Sequence, residues 1–139
     1  MIDVRWLGVD PGERRVGLAI CDPDERVAVP LEIVPASAAY PAIRAIAARE
    51  AVGGVVVGLP LLLDGREGEA VRMARRLGER IARGLDVTVE YEDERFTSVT
   101  AEERSLTNGP QDDLAAAILL QQFIDRRREP REPSARARS

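Results

Sequence analysis

The feature that most constrains the fold of this chain is an apolar segment that ends on a carboxylate and then turns. The run Val4–Val9 is strand-like, Asp10 follows it, and Pro11–Gly12 turn the chain into a second strand-like run, Arg15–Asp22. A carboxylate at the end of a buried strand is costly unless a cation meets it. Asp10 is therefore a candidate ligand for a metal ion, although an Asp before Pro-Gly is also an ordinary turn residue.

This strand, carboxylate and hairpin pattern is shared by nucleases of the ribonuclease H-like fold and by actin-like ATPases. The chain has 139 residues, 45% of them hydrophobic, which is enough for one domain with a core. An actin-like ATPase needs two such lobes, so the length favours the nuclease group. With no long apolar run and no basic-then-apolar start, we expect a cytoplasmic protein without a membrane span. The single cysteine, Cys21, is expected to be buried and reduced.

The residue types that the sequence lacks restrict its chemistry. There is no histidine, and all 20 basic residues are arginines. This excludes a Ser-His-Asp triad, a His-ligated zinc site and a phosphate-binding or Schiff-base lysine. The groups left for chemistry are carboxylates, hydroxyls, arginines and backbone amides. Sites built from carboxylates prefer hard cations that bind oxygen ligands, which means Mg²⁺ or Mn²⁺.

The order of predicted elements is βββ-α-β-α-β-α-α. Pro30 marks the third strand, Val27–Val34, as an edge strand or a bulge. A meander followed by strands with crossover helices predicts an α/β, ribonuclease H-like fold. Its mixed five-stranded sheet would have three antiparallel strands, then parallel ones, with helices on both faces. The later predicted elements are a helix at Tyr40–Ala51, a strand at Gly54–Pro60, a helix at Glu69–Arg83, a strand at Val87–Glu92, and helices at Ser98–Ser105 and Asp112–Arg127. Residues 1–128 are predicted to form the domain, and 129–139 a disordered, arginine-rich tail.

Three acidic positions are predicted to meet at one sheet edge. Asp10 ends the first strand, Asp93 and Glu94 end the fifth, and Asp112 and Asp113 open the last helix, with Asp112 at the tip of its buried stripe. Carboxyl ends of parallel strands collect the site in α/β folds. Asp112 alone is also a common helix N-cap, Glu94 with Arg95 could be a surface ion pair, and Asp113 is the neighbouring alternative to Asp112.

Four motifs in series resemble the YqgF/RuvX family. In chain order they are Leu7–Gly12, Gly58–Pro60 followed by Asp64–Gly65 and Glu67–Gly68, Asp93–Thr97, and Asp112 with the Ala115–Ala116 and Leu119–Gln121 pattern after it. The resemblance covers about residues 4–127. It implies a fold similar to Holliday-junction resolvases and a metal-dependent nuclease acting in 5′-end maturation of pre-16S rRNA. It also implies an acidic catalytic and metal-binding site of Asp10, Glu94 and Asp112.

The partner expected from these observations is nucleic acid, either an RNA precursor or branched DNA. Candidate substrate-binding residues are Arg95 and Thr97 beside the site, and Arg72 and Arg76 on the arginine-rich helix, whose polar face could equally be merely solvated. Two alternatives remain: a Holliday junction resolvase, or a non-catalytic nucleic-acid-binding domain of the same fold. Junction cleavage calls for a homodimer, whereas the other readings allow a monomer.

Overall fold

The computed structural model describes residues 5–62, 64–94 and 112–128, with the backbone alone described at Asp112, Asp113 and Arg128. The predicted helix Ser98–Ser105 and the tail 129–139 lie outside the described residues. The domain boundary at residue 128 therefore stays a prediction. In chain order the elements are β1 (Trp6–Pro11), β2 (Arg15–Cys21), β3 (Ala28–Pro35), a 3₁₀ turn (Ala36–Ala38), α1 (Ala39–Arg49), β4 (Gly54–Leu59), α2 (Glu69–Gly84), β5 (Thr88–Asp93) and α3 (Asp112–Arg128).

The strands form one mixed sheet in the order β3-β2-β1-β4-β5. β1 pairs antiparallel with β2, and β2 pairs antiparallel with β3. β4 lies parallel to β1 on its other side, and β5 lies parallel to β4. This confirms the predicted arrangement of an antiparallel meander followed by parallel strands. It places the carboxyl ends of β1, β4 and β5 at one edge of the sheet.

Helices cover both faces because the buried strands are apolar on both sides. Every residue of β4 is buried. On one face, Leu7 and Val9 pack in the core beneath α1 and α2. On the other, Trp6 and Val56 pack beneath α3. Within the described parts of the chain, no helix is both long and apolar enough to cross a membrane.

The edge strand β3 carries the bulge that Pro30 suggested. Leu18 pairs with Glu32, but the next residue of β2, Ala19, pairs with Pro30. Leu31 is thus the extra residue. Proline cannot donate to the ladder, which is why it is tolerated at a bulge on an edge strand.

Candidate active site at the carboxyl edge of the sheet

Asp10 lies on the face of β1 that α3 covers. Side chains alternate along a strand, so Asp10 shares this face with Gly8 and Trp6. The Trp6 ring meets Phe123 of α3 edge-on, with ring centroids 4.7 Å apart. Two residues further along β1, a Cβ on Gly8 would lie 2.9 Å from Leu120 Cβ, on the preceding turn of α3. Moving towards Asp10 along β1 therefore means moving towards the start of α3.

Because α3 runs antiparallel to β1, the contacts at Gly8 indicate which turn of α3 lies beside Asp10. One step of two strand residues advances about 6.6 Å, which equals about four to five helical residues. Gly8 lies opposite Ala116 and Leu120. Asp10 accordingly lies near the level of the first turn of α3, which begins at Asp112. The choice between Asp112 and Asp113 as the inward carboxylate stays a prediction.

Glu94 reaches the same edge from β5. Asp93 pairs with Leu59 at the ends of β5 and β4, and the next backbone N–H, that of Glu94, donates to Leu59 O at 3.0 Å. The Glu94 side chain then lies across Gly58. A Cβ placed on Gly58 would come within 2.9 Å of both Glu94 Cγ and Cδ, and still closer to its buried Oε2.

Gly58 lies between the two carboxylates in the sheet. Val9 of β1 pairs with Val57 of β4, and the next residues along these strands are Asp10 and Gly58. A side chain at Gly58 would occupy the space that the Glu94 side chain takes. The structure thus brings Asp10 and Glu94, both half-buried, to one end of the sheet on the side of α3.

The other predicted site residues divide into two groups. Arg95 and Thr97 lie outside the described residues. Arg72 and Arg76 are exposed on α2, which covers the opposite face of the sheet from α3, so they do not join Asp10 and Glu94. Both approach Glu69, with N–O distances of 4.0 Å from Arg72 and 3.3 Å from Arg76.

The loop carboxylates, Asp64 and Glu67, pair with arginines close to them in sequence. Arg66 Nε meets Asp64 at 2.6 Å, and Arg75 meets Glu67 at 2.6 Å. The hydrogen bond from Arg75 lowers the pKa of Glu67 below its usual value. These carboxylates are thereby engaged in local ion pairs on the α2 side of the molecule.

Glu92 is a buried carboxylate beside the site that the sequence did not single out. Its side chain is 2% exposed, yet it lies in β5 two residues before Glu94, on the same face. Arg126 of α3 donates to both of its carboxylate oxygens, at 2.6 and 2.5 Å, and Gln122 donates to Oε2 at 3.0 Å. The bond to Glu92 raises the pKa of Arg126. This bidentate pair joins α3 to β5 and so supports the position of α3 over the sheet.

Cys21 has the buried position that was predicted for it. Its Sγ accepts a hydrogen bond from the Trp6 backbone N–H at 3.2 Å. Burial raises the pKa of the thiol, and the Trp6 hydrogen bond opposes the shift only in part. A thiol that stays protonated is a poor nucleophile, so Cys21 serves packing.

The described side chains alone do not form a complete metal site. Among them, no three acidic, cysteine or histidine side chains cluster closely enough to hold a metal ion. The side chains of Asp112 and Asp113, which complete the predicted site, are outside that set.

Comparisons with known proteins agree on family and fold. The family model described as "RuvX: Holliday junction resolvase" matches residues 4–126. A Chloroflexus aggregans protein named "Putative pre-16S rRNA nuclease" is 43% identical over 135 residues, which cover 89% of this chain and 95% of the relative. A Streptomyces coelicolor protein of the same name is 40% identical, over 89% of this chain and 81% of the relative.

Solved structures show the same architecture. Thermus thermophilus RuvC in complex with a Holliday junction substrate superposes with a TM-score of 0.62 at 18% identity, covering 91% of this chain and 96% of that one. The Fowlpox virus resolvase bound to junction DNA superposes with a TM-score of 0.56 at 10% identity, over 90% of this chain and 99% of that one. The predicted ribonuclease H-like fold is thereby confirmed.

Proposed function

Because the chain belongs to the RuvX family, we propose that it is a metal-dependent nuclease that hydrolyses phosphodiester bonds in 5′-end processing of pre-16S rRNA. The proposed substrate follows the name of the relatives that are 40–43% identical over most of this chain. RNA cleavage by such a site needs carboxylates that converge on divalent cations. The sequence contains no histidine that could take the place of these carboxylates as a metal ligand.

The observation that carries the proposal is the position of Glu94 over Gly58, beside Asp10 and near the level of the first turn of α3. Three carboxylates from different elements would then converge at the edge where the parallel strands end. An all-oxygen donor set of this kind fits Mg²⁺ or Mn²⁺ better than softer metals. Asp10, Glu94 and Asp112 are the proposed ligands and catalytic residues.

A divalent cation bound there would supply Lewis-acid activation of water and compensate negative charge on the scissile phosphate. The chain's own contribution is to hold the carboxylates in place before substrate arrives. The backbone bond from Glu94 to Leu59 fixes the end of β5, and the absence of a side chain at Gly58 leaves room for the carboxylate. The Glu92–Arg126 pair holds α3 on β5. We assign phosphate contacts to Arg95 and Thr97, and flanking backbone contacts to Arg72 and Arg76.

Cleavage assays with and without metal test this proposal. Purified protein is incubated with end-labelled precursor 16S rRNA in Mg²⁺, Mn²⁺ or EDTA, and Asp10→Asn is assayed in parallel. Asn keeps the shape of the side chain but loses the charge that holds a cation. We expect cleavage with metal, none in EDTA, and none by a folded Asp10→Asn variant. Near wild-type turnover by Asp10→Asn in saturating Mn²⁺ would refute the assignment of the site.

A second candidate activity is cleavage of four-way DNA junctions. It is favoured by the family's description and by the fold shared with a junction-bound RuvC. Comparing rates on precursor rRNA and on a synthetic junction separates the two activities, and sedimentation tests for the dimer that junction cleavage requires. Metal-dependent cleavage of neither substrate would favour a non-catalytic nucleic-acid-binding domain.

A further inference from the structure

A cavity of about 420 Å³ opens at the carboxyl edge of the sheet, on the face away from α3. Its volume lies in the range of small-ligand sites, which is about 300–1,000 Å³. Pro11 and Pro60, which follow the site residue Asp10 and the strand-end residue Leu59, form part of its wall. The first turns of α2 form another part. The cavity therefore begins one residue beyond the candidate active site.

The lining combines apolar side chains with two glutamates. Met73 and Leu77 of α2 line it together with the two prolines, and Glu13 and Glu69 contribute to the lining as well. Apolar walls of this kind can pack against an aromatic ring. The carboxylate of Glu13 can accept hydrogen bonds from N–H groups and repels phosphate, so it favours a base over a backbone phosphate as the occupant.

Glu13 lies on the short turn that connects β1 to β2. A Cβ on Gly12 would lie 2.6 Å from Arg15 O, so the turn between β1 and β2 closes tightly on its own backbone. Glu13 is thereby placed on a short, sterically defined turn next to Asp10. Glu69 also pairs with Arg76, which leaves Glu13 as the simpler carboxylate to test.

We propose that this cavity binds an unstacked nucleobase of the RNA next to the scissile phosphate, with guanine preferred. The proposal rests on the proposed function, because it places the substrate at Asp10. Guanine fits because its Watson–Crick edge presents adjacent ring and amino N–H donors, which match the two acceptor oxygens of one carboxylate such as that of Glu13. Proteins read single-stranded RNA in this way, by enclosing a splayed base between apolar surfaces and bonding its edge.

The test measures binding without turnover. Fluorescein-labelled decauridylate with one central guanine is compared with the same RNA carrying inosine or adenine there, by anisotropy in EDTA. Inosine lacks only the 2-amino donor. Loss of one hydrogen bond to a charged acceptor weakens binding about tenfold, which is the expected difference between guanine and inosine. Equal affinity for the three RNAs, or no measurable binding of the guanine RNA, overturns the proposal.

Two variants locate the effect, each with a matched control. Ala70→Leu fills the cavity from an exposed position on α2 and should abolish the guanine preference while leaving affinity for plain decauridylate unchanged. Ala82→Leu makes the same exchange at an exposed position near the other end of α2, outside the cavity lining, and should keep the preference. Glu13→Gln should reduce the preference, whereas Glu79→Gln on α2 should not. A full preference in Ala70→Leu contradicts the assignment.

The same assay separates this proposal from the proposed function. Asp10→Asn should lose cleavage yet retain the guanine preference, since the cavity lies on the other face of the sheet. If Asp10→Asn cleaves normally while the preference is present, the catalytic assignment fails and the base site stands. If Asp10→Asn is inactive but no RNA is preferred, the base site fails and the nuclease stands.

Discussion

Replacing Gly58 by alanine should remove activity while largely preserving the fold. The added Cβ would lie 2.9 Å from Glu94 Cγ and Cδ, whereas ordinary contacts to a Cβ begin at 3.4 Å. The Glu94 side chain must therefore move by at least 0.5 Å at these carbons, and further at Oε2, which is closer still. A displacement of about 1 Å at a catalytic group costs about a hundredfold in rate. We expect kcat on RNA to fall by about that factor.

The stability cost should be small because the group that must move is the end of a flexible side chain. Two other glycines provide controls. A Cβ on Gly54 would lie 2.6 Å from the buried Trp6 ring, which cannot move aside, so Gly54→Ala should destabilise the fold by about 1–3 kcal/mol. A Cβ on Gly68 would meet only Leu62, at 3.9 Å, so Gly68→Ala should leave the rate unchanged; because Gly68 is the N-cap of α2, its stability cost should be about 1 kcal/mol at most.

Thermal melting and single-turnover cleavage of labelled RNA in saturating Mg²⁺ are measured for all three variants. The expected pattern is loss of rate without loss of melting temperature in Gly58→Ala, and loss of melting temperature in Gly54→Ala. The reasoning is refuted if Gly58→Ala cleaves within twofold of the wild-type rate. It is equally refuted if the melting temperature of Gly58→Ala is as low as that of Gly54→Ala.

Three further predictions concern other parts of the molecule. Glu94→Ala and Asp112→Ala should each remove most cleavage, whereas Asp64→Ala and Glu67→Ala should alter substrate affinity at most; normal cleavage by Asp112→Ala would move the role to Asp113. Arg126→Met leaves the buried Glu92 carboxylate with one partner fewer and should lower the free energy of unfolding by about 1–3 kcal/mol in denaturant titrations, while Arg83→Met, at an exposed position on α2, should not. Truncation after Arg128 removes 3 of the 6 arginines in residues 126–139, so it should spare the melting temperature but weaken RNA binding at low salt and flatten its salt dependence.

The backbone architecture could be predicted because strand and helix signals are local. The apolar run of β4 indicated a strand buried on both faces, and Pro30 indicated an edge strand with a bulge; both features are present. Element ends were less accurate. The helix predicted to reach Ala51 ends at Arg49, and Ala51 has a φ of 54°, in the left-handed region that commonly follows a helix. The sequence shows the helical periodicity but not where the chain leaves it.

Glu92 could not be recognised from the sequence because its burial depends on a partner 34 residues away. In a strand where Glu90, Glu92 and Glu94 alternate with other residues, the pattern is typical of a solvent-facing side. The structure leaves Glu90 exposed but buries Glu92 against α3, where Arg126 compensates its charge. The burial of an acidic residue on one face of a strand can therefore be inferred only when the helix that covers this face, and the cationic side chains on that helix, are known.

The glycines of the sheet connect the fold to the site. Gly8, Gly54 and Gly58 all lie on the face beneath α3, and each leaves space that a different neighbour fills: the α3 residue Leu120, the Trp6 ring and the Glu94 side chain. Glycine in a strand interior weakens the strand, and it commonly marks a close approach by another group. Two of these positions let packed groups approach closely, whereas Gly58 admits a carboxylate. Glycine thus has two uses in this sheet. At Gly8 it lets α3 pack closely against β1, and at Gly58 of the neighbouring strand β4 it leaves room for the Glu94 side chain at the edge where Asp10 lies.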